Sequence, residues 1–442
     1  MGLPRIIIAG THSGVGKTTL TLGIISVLRK KGVSVQAFKT GPDYIDPTYH
    51  VEASGKICGN LDSWLLSKGA VIELFKRRAE HADLSVIEGV MGLYDGLKDT
   101  EFGSTAHLAK ILNCPVILVL DARSLSRSAA AIALGYKEFD RDVNIAGIIL
   151  NNAASPNHYH YIKAAIERKT RIPVLGYLSK DSNLKLSERH LGLIPLEEKK
   201  LNIDFYKRLS KLVTDNINLT RLLEIARQAK SLPYSREIIF RKASPKCRVR
   251  IAVAKDEAFN FYYQDNLDIL SYLGANIITF SPLRDKELPE GIDGLYIGGG
   301  FPEVFAFGLS KNKSLKRSIY QKAEEGLPIY AECGGLMYLV KSLMDFKKRK
   351  FPMVGIFKCR VSMANKLYRL GYVNVQVIKD NILSNQGDRN RAHLFHWSHL
   401  EDVPKNLSFA YKVIKDKDNI VYDGLIRKNT LAGYTHLHFA SN

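Results

Sequence analysis

The sequence contains little cysteine, little tryptophan and no long apolar run. Five of its 442 residues are Cys and two are Trp. No two Cys form a C-x-x-C pair, which excludes a zinc ribbon and a thioredoxin-like site, and an odd number of scattered Cys indicates a reducing compartment. No run is long enough for a membrane span, and the first ten residues do not resemble a secretory signal. We therefore expect a cytoplasmic protein with no membrane partner.

Acidic residues are also comparatively scarce. The chain has 44 Asp and Glu against 64 Lys and Arg, which gives a formal net charge of +20. This balance favours anionic partners, although a lysine-rich solvated surface would have the same composition. The basic cluster at 347–350 lacks the interleaved aromatic residues of a nucleic-acid surface. We therefore expect small acidic molecules, and no nucleic acid, as partners.

The order of apolar and helical segments predicts two α/β domains. Short apolar strands alternate with helical stretches in the first half, which indicates parallel pairing and a doubly wound sheet. We expect one domain over 1–230, a linker over 231–247 where proline and basic residues cluster, and a second domain over 248–442. The predicted strands cover 5–9, 33–38, 84–87, 115–120, 145–150 and 173–177, then 251–254, 277–280, 294–297 and 328–331, and the predicted helices cover 18–29, 266–273 and 336–343.

A glycine-rich loop joins the first predicted strand to the first predicted helix. It reads Gly-Thr-His-Ser-Gly-Val-Gly-Lys-Thr-Thr over 10–19. The loop is one residue longer than the G-x-x-x-x-G-K-[ST] pattern, but its strand–loop–helix context suits phosphate binding by backbone N–H groups. Lys17 would reach the terminal phosphates and Thr18 would bind Mg²⁺. The predicted nucleotide-binding residues are Gly10, Thr11, Ser13, Gly14, Val15, Gly16, Lys17, Thr18 and Thr19.

Four acidic residues follow two later strands of the same domain. Asp43 and Asp46 come after the second predicted strand, and Glu88 and Asp95 come after the third. Because the carboxyl ends of parallel strands meet at one edge of a sheet, these carboxylates would converge beside the phosphates. Carboxylates next to phosphates repel each other unless a hard cation lies between them. We therefore predict a Mg²⁺ site formed by Thr18, Asp43 and Glu88.

A nucleophile elbow is predicted in the second domain. A short strand ends in Cys333, and Gly334 and Gly335 separate it from the predicted helix over 336–343. Such a sharp turn exposes its central side chain, and the start of a helix favours the thiolate. Gly299, Gly300 and Gly334 would offer backbone N–H groups for an oxyanion hole. The base should be a histidine, and the residue pattern alone does not choose among His393, His396, His436 and His438.

Several motifs together resemble the cobyrinic acid a,c-diamide synthase family of cobalamin biosynthesis. The resemblance covers nearly the whole chain and includes the longer loop. It implies a dethiobiotin-synthetase-like P-loop NTPase domain followed by a class I glutamine amidotransferase-like α/β domain. The motifs are Gly-Pro-Asp-Tyr-Ile-Asp-Pro (41–47), Glu-Arg-His-Leu-Gly-Leu (188–193), Ala-Phe-Asn-Phe-Tyr-Tyr (258–263), Tyr-Ile-Gly-Gly-Gly-Phe-Pro-Glu (296–303), Tyr-Ala-Glu-Cys-Gly-Gly-Leu-Met-Tyr (330–338) and Thr-His-Leu-His-Phe-Ala-Ser-Asn (435–442).

The resemblance also implies roles for individual residues. His436 would be the partner of Cys333. His438 stands where many related glutaminases have a Glu, which leaves the third member of the triad open. Leu394 replaces an acid of the family's pattern, which puts the substrate contacts of that loop in doubt. The remaining implied roles are metal and substrate handling by Asp43, Asp46, Glu88 and Asp95, adenine recognition by Asn151, and tetrapyrrole contacts from Tyr44, Arg189 and His190.

The function implied by the resemblance is amidation of the a and c acetate carboxylates of cobyrinate, an anionic corrin tetrapyrrole. ATP, with Mg²⁺, would activate each carboxylate as an acyl phosphate, and glutamine would supply ammonia. One alternative is the same reaction on nickel sirohydrochlorin. A more distant alternative is a regulatory ATPase of the ParA/MinD type, which would leave Cys333 without a role. The sequence does not decide between a monomer and a homodimer, nor does it give the route of ammonia.

Overall fold

The computed structural model describes residues 2–189, 192–196, 198, 200–241, 248–416 and 419–441. The chain divides into two compact units, Met1–Ile239 and Phe240–Asn442. The expected linker segment begins inside the first unit, because the Glu73 carboxylate accepts hydrogen bonds from the N–H groups of Ile238 (2.7 Å) and Ile239 (3.0 Å). Residues 242–247, which complete that segment, lie outside the described residues.

A seven-stranded parallel sheet forms the centre of the first unit. The predicted doubly wound parallel sheet is therefore confirmed, and each of the six predicted strands is present with small shifts of its ends. The short strand at 59–61 was not predicted, because three residues carry no periodic signal. The strands are β1 (Arg5–Gly10), β2 (Val35–Thr40), β3 (Gly59–Leu61), β4 (Leu84–Glu88), β5 (Val116–Asp121), β6 (Ile145–Ala153) and β7 (Val174–Ser179), in the spatial order β3-β2-β4-β1-β5-β6-β7.

Helices connect these strands, and several begin at a serine that caps them. The side-chain oxygens of Ser67, Ser104 and Ser155 each accept a hydrogen bond from the N–H group three residues later, which fixes where the helix starts. In the part of the chain that the structure describes, no helix has both the length and the apolar character to cross a bilayer. The helices are α1 (Lys17–Lys30), α2 (Asp46–Ser54), α3 (Lys68–Ala79), α4 (Thr105–Ile111), α5 (Ser128–Phe139), α6 (Pro156–Thr170), α7 (Ile203–Asn216) and α8 (Leu219–Arg227), with a 3-10 turn at Ser182–Leu184 and a small antiparallel pair, β8 (Glu188–Arg189) and β9 (Gly192–Leu193).

The second unit contains a ten-stranded mixed sheet and a smaller four-stranded sheet. Its strands are β10 (Val249–Ala254), β11 (Ala275–Phe280), β12 (Gly294–Ile297), β13 (Ile329–Glu332), β14 (Val340–Met344), β15 (Lys350–Pro352), β16 (Phe357–Met363), β17 (Arg369–Val377), β18 (Arg389–His396), β19 (Ser398–Glu401), β20 (Ser408–Asp416), β21 (Asn419–Arg427), β22 (Thr430–Gly433) and β23 (His436–Leu437). Its helices are α9 (Gln264–Tyr272), α10 (Ala306–Lys311), α11 (Lys313–Glu324) and α12 (Gly334–Leu339).

The large sheet changes from parallel to antiparallel pairing along its width. Strands β11-β10-β12-β13-β22 are parallel, and the order continues through the antiparallel strands β21-β20-β17-β18-β23. Strands β15-β14-β16-β19 form the smaller sheet. Within the parallel half, the inner strands β12, β13 and β22 are largely buried, whereas the edge strand β11 is not. This topology places β13 beside β22 and β18 beside β23.

The predicted helix over 336–343 is wrong in its second half. Helix α12 ends at Leu339, and Val340 begins β14. Val354 N donates to Tyr338 O and Gly355 N donates to Val340 O, each at 3.0 Å. The carbonyl groups of Tyr338 and Val340, which a longer helix would use, therefore accept hydrogen bonds from residues 354 and 355 instead.

The close approach of β7 to the end of α7 predicts the effect of one substitution. Gly176 has a φ of 149°, and a methyl group there would lie 2.0 Å from Asn216 O. We expect Gly176→Ala to reduce the free energy of unfolding by about 2 kcal/mol. Gly135 is the matched control, because a methyl group there meets no neighbouring group within 4 Å. In that helical position alanine should stabilise by about 1 kcal/mol. Urea unfolding followed by circular dichroism should separate the two variants. Identical midpoints would contradict the close contact between Gly176 and Asn216 O.

Candidate active sites

The glycine-rich loop of the first unit forms a tight turn between β1 and α1. Gly14 and Gly16 have φ values of 77° and 99°, in the left-handed region that favours glycine. A methyl group on Gly10 would lie 2.4 Å from Val15 Cγ1, so the start of the loop also needs glycine. Ser13 and Gly14 are exposed at the tip of the loop, whereas Val15 is buried beneath it. The loop therefore presents backbone rather than side chains, as phosphate binding requires.

Lys17 is the cation of this loop. Its Nζ donates to the carbonyl oxygens of Met91 (2.5 Å) and His12 (3.2 Å). Burial, together with the nearby charge of Lys39, lowers the pKa of Lys17 to about 8. The ammonium is thus still largely protonated at neutral pH, and it lies beside the backbone N–H groups that would contact a phosphate.

Around Glu88, at the end of β4, lies a network of buried charges. The Glu88 side chain has no exposed surface. Its Oε1 accepts hydrogen bonds from Thr18 Oγ1 at 2.7 Å and from Lys39 Nζ at 2.8 Å. Lys39 Nζ also donates to Asp46 Oδ2 at 2.5 Å and lies 3.8 Å from Asp43 Oδ2. Thr18 and three of the four predicted acids therefore meet at the edge of the sheet, with an unpredicted lysine between the acids.

Burial and neighbouring charges oppose each other at Glu88 and at Lys39, whereas at Asp46 burial and the nearby carboxylates act in the same direction. Burial disfavours the charged form of Glu88, but the positive charges of Lys39 and His50 outweigh it and hold the pKa of Glu88 below its ordinary value. Burial also opposes protonation of Lys39, yet Asp46, Glu88 and Asp43 raise its pKa. Burial and the charges of Asp43 and Glu88 raise the pKa of Asp46. Lys39 is therefore a permanent cation that compensates the buried carboxylates.

Sequence reasoning missed Lys39 and His50 in this network. His50 Nε2 lies 2.8 Å from Glu88 Oε2, and both side chains are fully buried. Lys39 stands at the end of β2, and His50 is one helical turn after Asp46 in α2. The signal for Lys39 was a lysine inside a run predicted to be a buried strand end. For His50 the signal was the i, i+4 spacing from Asp46, which places both side chains on one face of a helix.

The other predicted residues of the first unit make their hydrogen bonds outside this network. Asp95 is exposed, and its Oδ2 accepts a hydrogen bond from Gly92 N at 2.8 Å, so it closes its own turn. Asn151, near the end of β6, donates from Nδ2 to Val15 O at 2.8 Å, and this hydrogen bond holds the glycine-rich loop in place. The adenine contact expected of Asn151 stays a prediction. Thr11 O accepts a hydrogen bond from Tyr136 OH at 2.5 Å, and Thr19 is half-buried in the first turn of α1.

The residues expected to face a tetrapyrrole are described only in part. Tyr44 is buried in the turn between Asp43 and α2. Arg189 ends the short strand β8, and His190 lies outside the described residues. The segment just after them is bonded to α2, because Tyr49 OH donates to Ile194 O at 2.5 Å. Helix α2 therefore contacts both the buried charges and the segment that follows Arg189.

The oxygen atoms near the loop fit a magnesium ion that also binds phosphate. Thr18 Oγ1 and Glu88 Oε1 are hard donors 2.7 Å apart, of the kind that Mg²⁺ prefers. Asp43 contributes less directly, because its Oδ1 accepts hydrogen bonds from Ile45 N and Asp46 N. Within the described ranges no cluster of three His, Cys, Asp or Glu side chains could by itself hold a metal ion. Phosphate oxygens and water would therefore have to complete the coordination.

In the second unit, a strained turn presents Cys333 between β13 and α12. Cys333 has φ 47° and ψ −100°, a conformation that costs a non-glycine residue backbone energy. Its N–H donates to Gly433 O at 2.7 Å, which fixes the turn against β22. A methyl group on Gly335 would lie 2.2 Å from Ile297 O, so only glycine permits this approach of α12 to β12. The turn has the geometry of a nucleophile elbow.

His436 is the histidine that faces Cys333. It lies on β23 opposite His393 of β18, and it is buried. Burial opposes its protonation, but a hydrogen bond to Cys333 and the neighbouring Glu332 carboxylate raise the pKa of His436 to about 10. A methyl group on Gly299 would lie 3.0 Å from His436 Cε1, so glycine leaves space for the imidazole. The arrangement is that of a cysteine–histidine pair.

The remaining candidate histidines have other contacts. Burial lowers the pKa of both His393 and His396 to about 3, so both are neutral at ordinary pH. His396 Nδ1 lies 2.7 Å from Ser398 O, and its ring stacks on Tyr434. His438 Nδ1 accepts a hydrogen bond from Ala440 N at 3.2 Å, and its Nε2 lies 3.9 Å from Asp265 Oδ2.

Glu332 is a residue near the thiol that sequence reasoning did not single out. It directly precedes Cys333, is buried, and places Oε2 3.7 Å from His436 Nδ1. The signal was an acidic residue within an otherwise apolar strand, because a buried carboxylate needs specific partners. Leu394, the noted departure from the family's pattern, is buried on β18.

The predicted oxyanion-hole glycines divide into two groups. Gly299 N donates to Phe261 O at 3.2 Å, so this N–H is used within the fold and is not available to a ligand. Gly300 has φ 152°, and a methyl group there would lie 2.1 Å from Ala258 O. A methyl group on Gly334 would lie 3.0 Å from Gly300 N, which shows that these two glycines are adjacent. Gly300 and Gly334 are therefore the pair that could stabilise an oxyanion near Cys333.

Comparisons with known proteins cover both units. Residues 6–194 match a CobQ/CobB/MinD/ParA nucleotide binding domain, and residues 250–442 match a CobB/CobQ-like glutamine amidotransferase domain. The chain is 46% identical over 434 residues to the "Cobyrinate a,c-diamide synthase" of Caldanaerobacter subterraneus subsp. tengcongensis, over 98% of this chain and 94% of that protein. A protein of the same name from Dehalococcoides mccartyi is 46% identical over 448 residues, with 100% and 96% covered. One from Methanobrevibacter smithii is 43% identical over 441 residues, with 99% and 96% covered.

The buried charge network predicts a pH-dependent loss of stability in Lys39→Met. This change removes the ammonium that Glu88 and Asp46 share, so that Glu88 keeps only its contacts with His50 and Thr18. We expect unfolding to become easier by about 3–5 kcal/mol at neutral pH. The pKa of Glu88 in the folded protein lies below its ordinary value of 4.5. The stabilisation is therefore complete above 4.5 and disappears as the pH falls through the folded-state pKa.

Lys207→Met is the control for that substitution. Lys207 is 71% exposed, and its Nζ lies 4.0 Å from Asp204 Oδ1. A surface pair of this kind should change stability by no more than about 0.5 kcal/mol. Urea midpoints of both variants should be measured from neutral to acidic pH. A cost for Lys39→Met that equals the control, or that does not shrink in acid, would refute the role given to Lys39.

Proposed function

Because this chain belongs to the cobyrinate a,c-diamide synthase family of ligases, we propose that it amidates the a and c acetate carboxylates of cobyrinate with ATP and glutamine. The observation that carries the proposal is the strained elbow that presents Cys333, with the buried His436, whose pKa Cys333 helps to raise, as its neighbour. A thiol in this setting releases ammonia from an amide. The phosphate loop of the first unit, with Lys17, would activate the carboxylate that receives it.

Glutamine hydrolysis would begin with attack of the Cys333 thiolate on the carboxamide carbon. The C–S bond forms as the carbonyl π electrons move to oxygen, and the N–H groups of Gly300 and Gly334 would donate to that oxygen. His436 passes its proton to the departing nitrogen, the C–N bond breaks, and ammonia leaves a thioester. His436 then takes a proton from water, the resulting hydroxide attacks the thioester carbon, and the C–S bond breaks, which releases glutamate and restores the Cys333 thiolate.

Activation of the carboxylate would take place at the loop of the first unit. An oxygen of the substrate carboxylate attacks the γ-phosphorus of ATP, the bond to ADP breaks, and an acyl phosphate forms. Ammonia then attacks the acyl carbon, and phosphate leaves. Lys17 and the loop N–H groups would stabilise the negative charge that moves onto the phosphate oxygens. Mg²⁺, held by Thr18 and Glu88 with Asp43 nearby, would supply further positive charge to the phosphates.

The proposed tetrapyrrole site is the surface beside α2. Asp46 begins this helix, and Tyr49 of the same helix holds the segment after Arg189 and His190. The substrate carries several carboxylates, and the chain has a net charge of +20, so long-range attraction favours their encounter. Tyr44, between Asp43 and α2, would contact the macrocycle.

Two further parts of the proposal concern organisation and location. We assign activation to residues 1–230 and glutamine hydrolysis to residues 248–442, joined by 231–247. We place the reaction in the cytoplasm, because Cys333 must stay a thiol rather than form a disulfide.

Nickel sirohydrochlorin is the alternative substrate. It has the same kind of acetate side chains, so the residues above would serve it equally. Parallel assays with cobyrinate and nickel sirohydrochlorin distinguish the two, and amidation of the nickel compound alone would overturn the assignment. A regulatory ATPase would not need the Cys333–His436 pair for its activity, so we do not favour that function.

Replacement of the thiol tests the glutaminase half of the proposal. Cys333→Ala removes the nucleophile, so glutamine-supported amidation should fall by at least about 1000-fold. Amidation supported by ammonium at alkaline pH should be retained, since ammonia then reaches the acyl phosphate without the thiol. Product formation would be followed by mass spectrometry of the tetrapyrrole. Equal loss with both nitrogen sources would reject the thiol's role.

The matched control for this test is Cys359→Ala. Cys359 is a buried cysteine of the same unit on β16, and burial raises its pKa to about 11, so it stays an unreactive thiol. This variant should keep both the glutamine-supported and the ammonium-supported reactions. A loss in Cys359→Ala that matched the loss in Cys333→Ala would show damage to the fold instead of loss of a nucleophile.

Replacement of the loop lysine tests the ATP half. Lys17→Ala should reduce amidation with either nitrogen source by at least about 100-fold, because the cation that meets the phosphates is gone. Glutamine hydrolysis should be partly retained. Lys31→Ala, an exposed lysine just after the same helix, serves as the control. Full product formation by Lys17→Ala would disprove phosphate binding by this loop.

A further inference from the structure

We propose that Glu332, the residue directly before the nucleophile, is the acid that positions His436 in the glutaminase centre. This inference rests on the proposed function, since it assigns the third member of the same Cys333–His436 pair. The position two residues after His436, where a glutamate was expected, holds His438. His438 is directed toward Asp265 and Ala440, so it does not take over the role of an acid.

The Glu332 carboxylate is fixed in one orientation by hydrogen bonds. Its Oε2 accepts from Tyr296 OH at 3.0 Å, and its Oε1 accepts from Tyr330 OH at 2.5 Å and from Leu437 N at 3.1 Å. The side chain is 1% exposed. Burial and the charge of Glu332 raise the pKa values of Tyr296 and Tyr330, so both keep the hydroxyl protons that they donate. A carboxylate this well held can orient a neighbouring ring.

The backbone explains how consecutive residues can both approach one imidazole. Side chains of neighbouring residues in a strand point to opposite faces of the sheet. Glu332 is the last residue of β13, and Cys333 adopts φ 47° instead of an extended conformation. The turn therefore breaks the alternation of the strand. Glu332 Oε2 lies 3.7 Å from His436 Nδ1, and Cys333 hydrogen-bonds with the same imidazole.

Glu332 also holds the backbone that carries the histidine. The N–H group of Leu437, the residue after His436, donates to Glu332 Oε1. One carboxylate thus contacts both the imidazole and its own strand. The distance of 3.7 Å between Glu332 Oε2 and His436 Nδ1 is a charge contact, longer than a hydrogen bond. Such an arrangement would direct Nδ1 toward the acid and Nε2 toward the thiol.

Apart from the Cys333 thiol, which is the proposed nucleophile, the other titratable groups around His436 carry no negative charge that could substitute. From β18 the ring is approached by His393 and His396, whose pKa values burial lowers to about 3, so both are neutral. From the elbow it meets Cys333, and from the loop after β12 it meets Gly299, which has no side chain. Among the described groups that face His436, the carboxylate comes from Glu332.

The consequence is a pH dependence of glutamine hydrolysis to which the charge of Glu332 contributes together with Cys333. The pKa of His436, about 10, lies above its ordinary value of 6.5. The imidazolium is therefore present below about 10 and is lost as the pH rises through that value. Removal of the negative charge of Glu332 should lower this pKa. The alkaline limit of glutamine hydrolysis should then move toward neutral pH.

The experiment compares Glu332→Gln with Asp265→Asn in the full-length protein. Each variant replaces a buried carboxylate by an amide of equal size, but Asp265 lies beside His438. For Glu332→Gln we expect the kcat of glutamine hydrolysis to fall about 10-fold or more, and its alkaline limit to shift down by about one pH unit. Asp265→Asn should leave the alkaline limit in place. Glu332→Asp should restore the limit in part, since the charge returns at a longer distance.

The pKa of the His436 imidazole, read by NMR in the resting protein, provides a second measurement without turnover. In Glu332→Gln that pKa should be lower, because the negative charge beside Nδ1 is gone. An unchanged pH profile and an unchanged imidazole titration in Glu332→Gln would overturn the role of Glu332, even if the rate fell. So would the same shift in Asp265→Asn.

Failure of this inference can be distinguished from failure of the proposed function. Glu332→Gln should retain ammonium-supported amidation, as Cys333→Ala should, because neither change touches the first unit. If Cys333→Ala abolishes glutamine hydrolysis while Glu332→Gln behaves as the wild type, the proposed function stands and the role of Glu332 falls. If the wild-type protein does not need Cys333 for glutamine hydrolysis, both fall.

Discussion

The buried carboxylate of Glu88 is the constraint on which the chemistry of the first unit depends. A carboxylate without exposed surface is tolerated only where positive charge and hydrogen-bond donors surround it. Lys39, His50 and Thr18 do this, and they come from the end of β2, from α2 and from α1. The central position of β1 between β4 and β5 brings these elements to the same edge. The network therefore ties the phosphate loop to the acids that would handle a carboxylate substrate.

In the second unit, a strained backbone conformation holds the candidate nucleophile in place. Cys333 adopts a left-handed φ that residues other than glycine normally avoid. The hydrogen bond from its N–H to Gly433 O holds it in this conformation. The same turn lets Glu332 and Cys333 approach one imidazole from a single strand end. Asp423 adds support, because it accepts hydrogen bonds from the N–H groups of Tyr434 and Thr435, just before His436. The strain and the bonds together fix the geometry in advance of any substrate.

Both centres keep a cation where negative charge would develop during the proposed reactions. In the first unit, burial lowers the pKa of Lys17 only to about 8, which leaves the ammonium mostly protonated at neutral pH. In the second unit, the contacts with Cys333 and Glu332 outweigh burial and raise the pKa of His436 to about 10. At Lys17, burial and the charge of Lys39 outweigh the nearby carboxylates, whereas at His436 the thiol and the carboxylate outweigh burial.

The sequence by itself determined the elements whose signals are local. The loop over 10–19, the strands of the parallel sheet and the elbow at Cys333 follow from glycine spacing and apolar runs, and the family's motifs pointed to His436. Only the tertiary structure showed that Lys39 and His50 compensate Glu88, that Gly299 N is bonded to Phe261 O, and that α12 stops at Leu339. Each of these depends on contacts between residues far apart in the chain. Ion pairs and hydrogen bonds to backbone carbonyl groups produce no periodic pattern in a sequence, because the spatial order of the strands determines which residues come into contact.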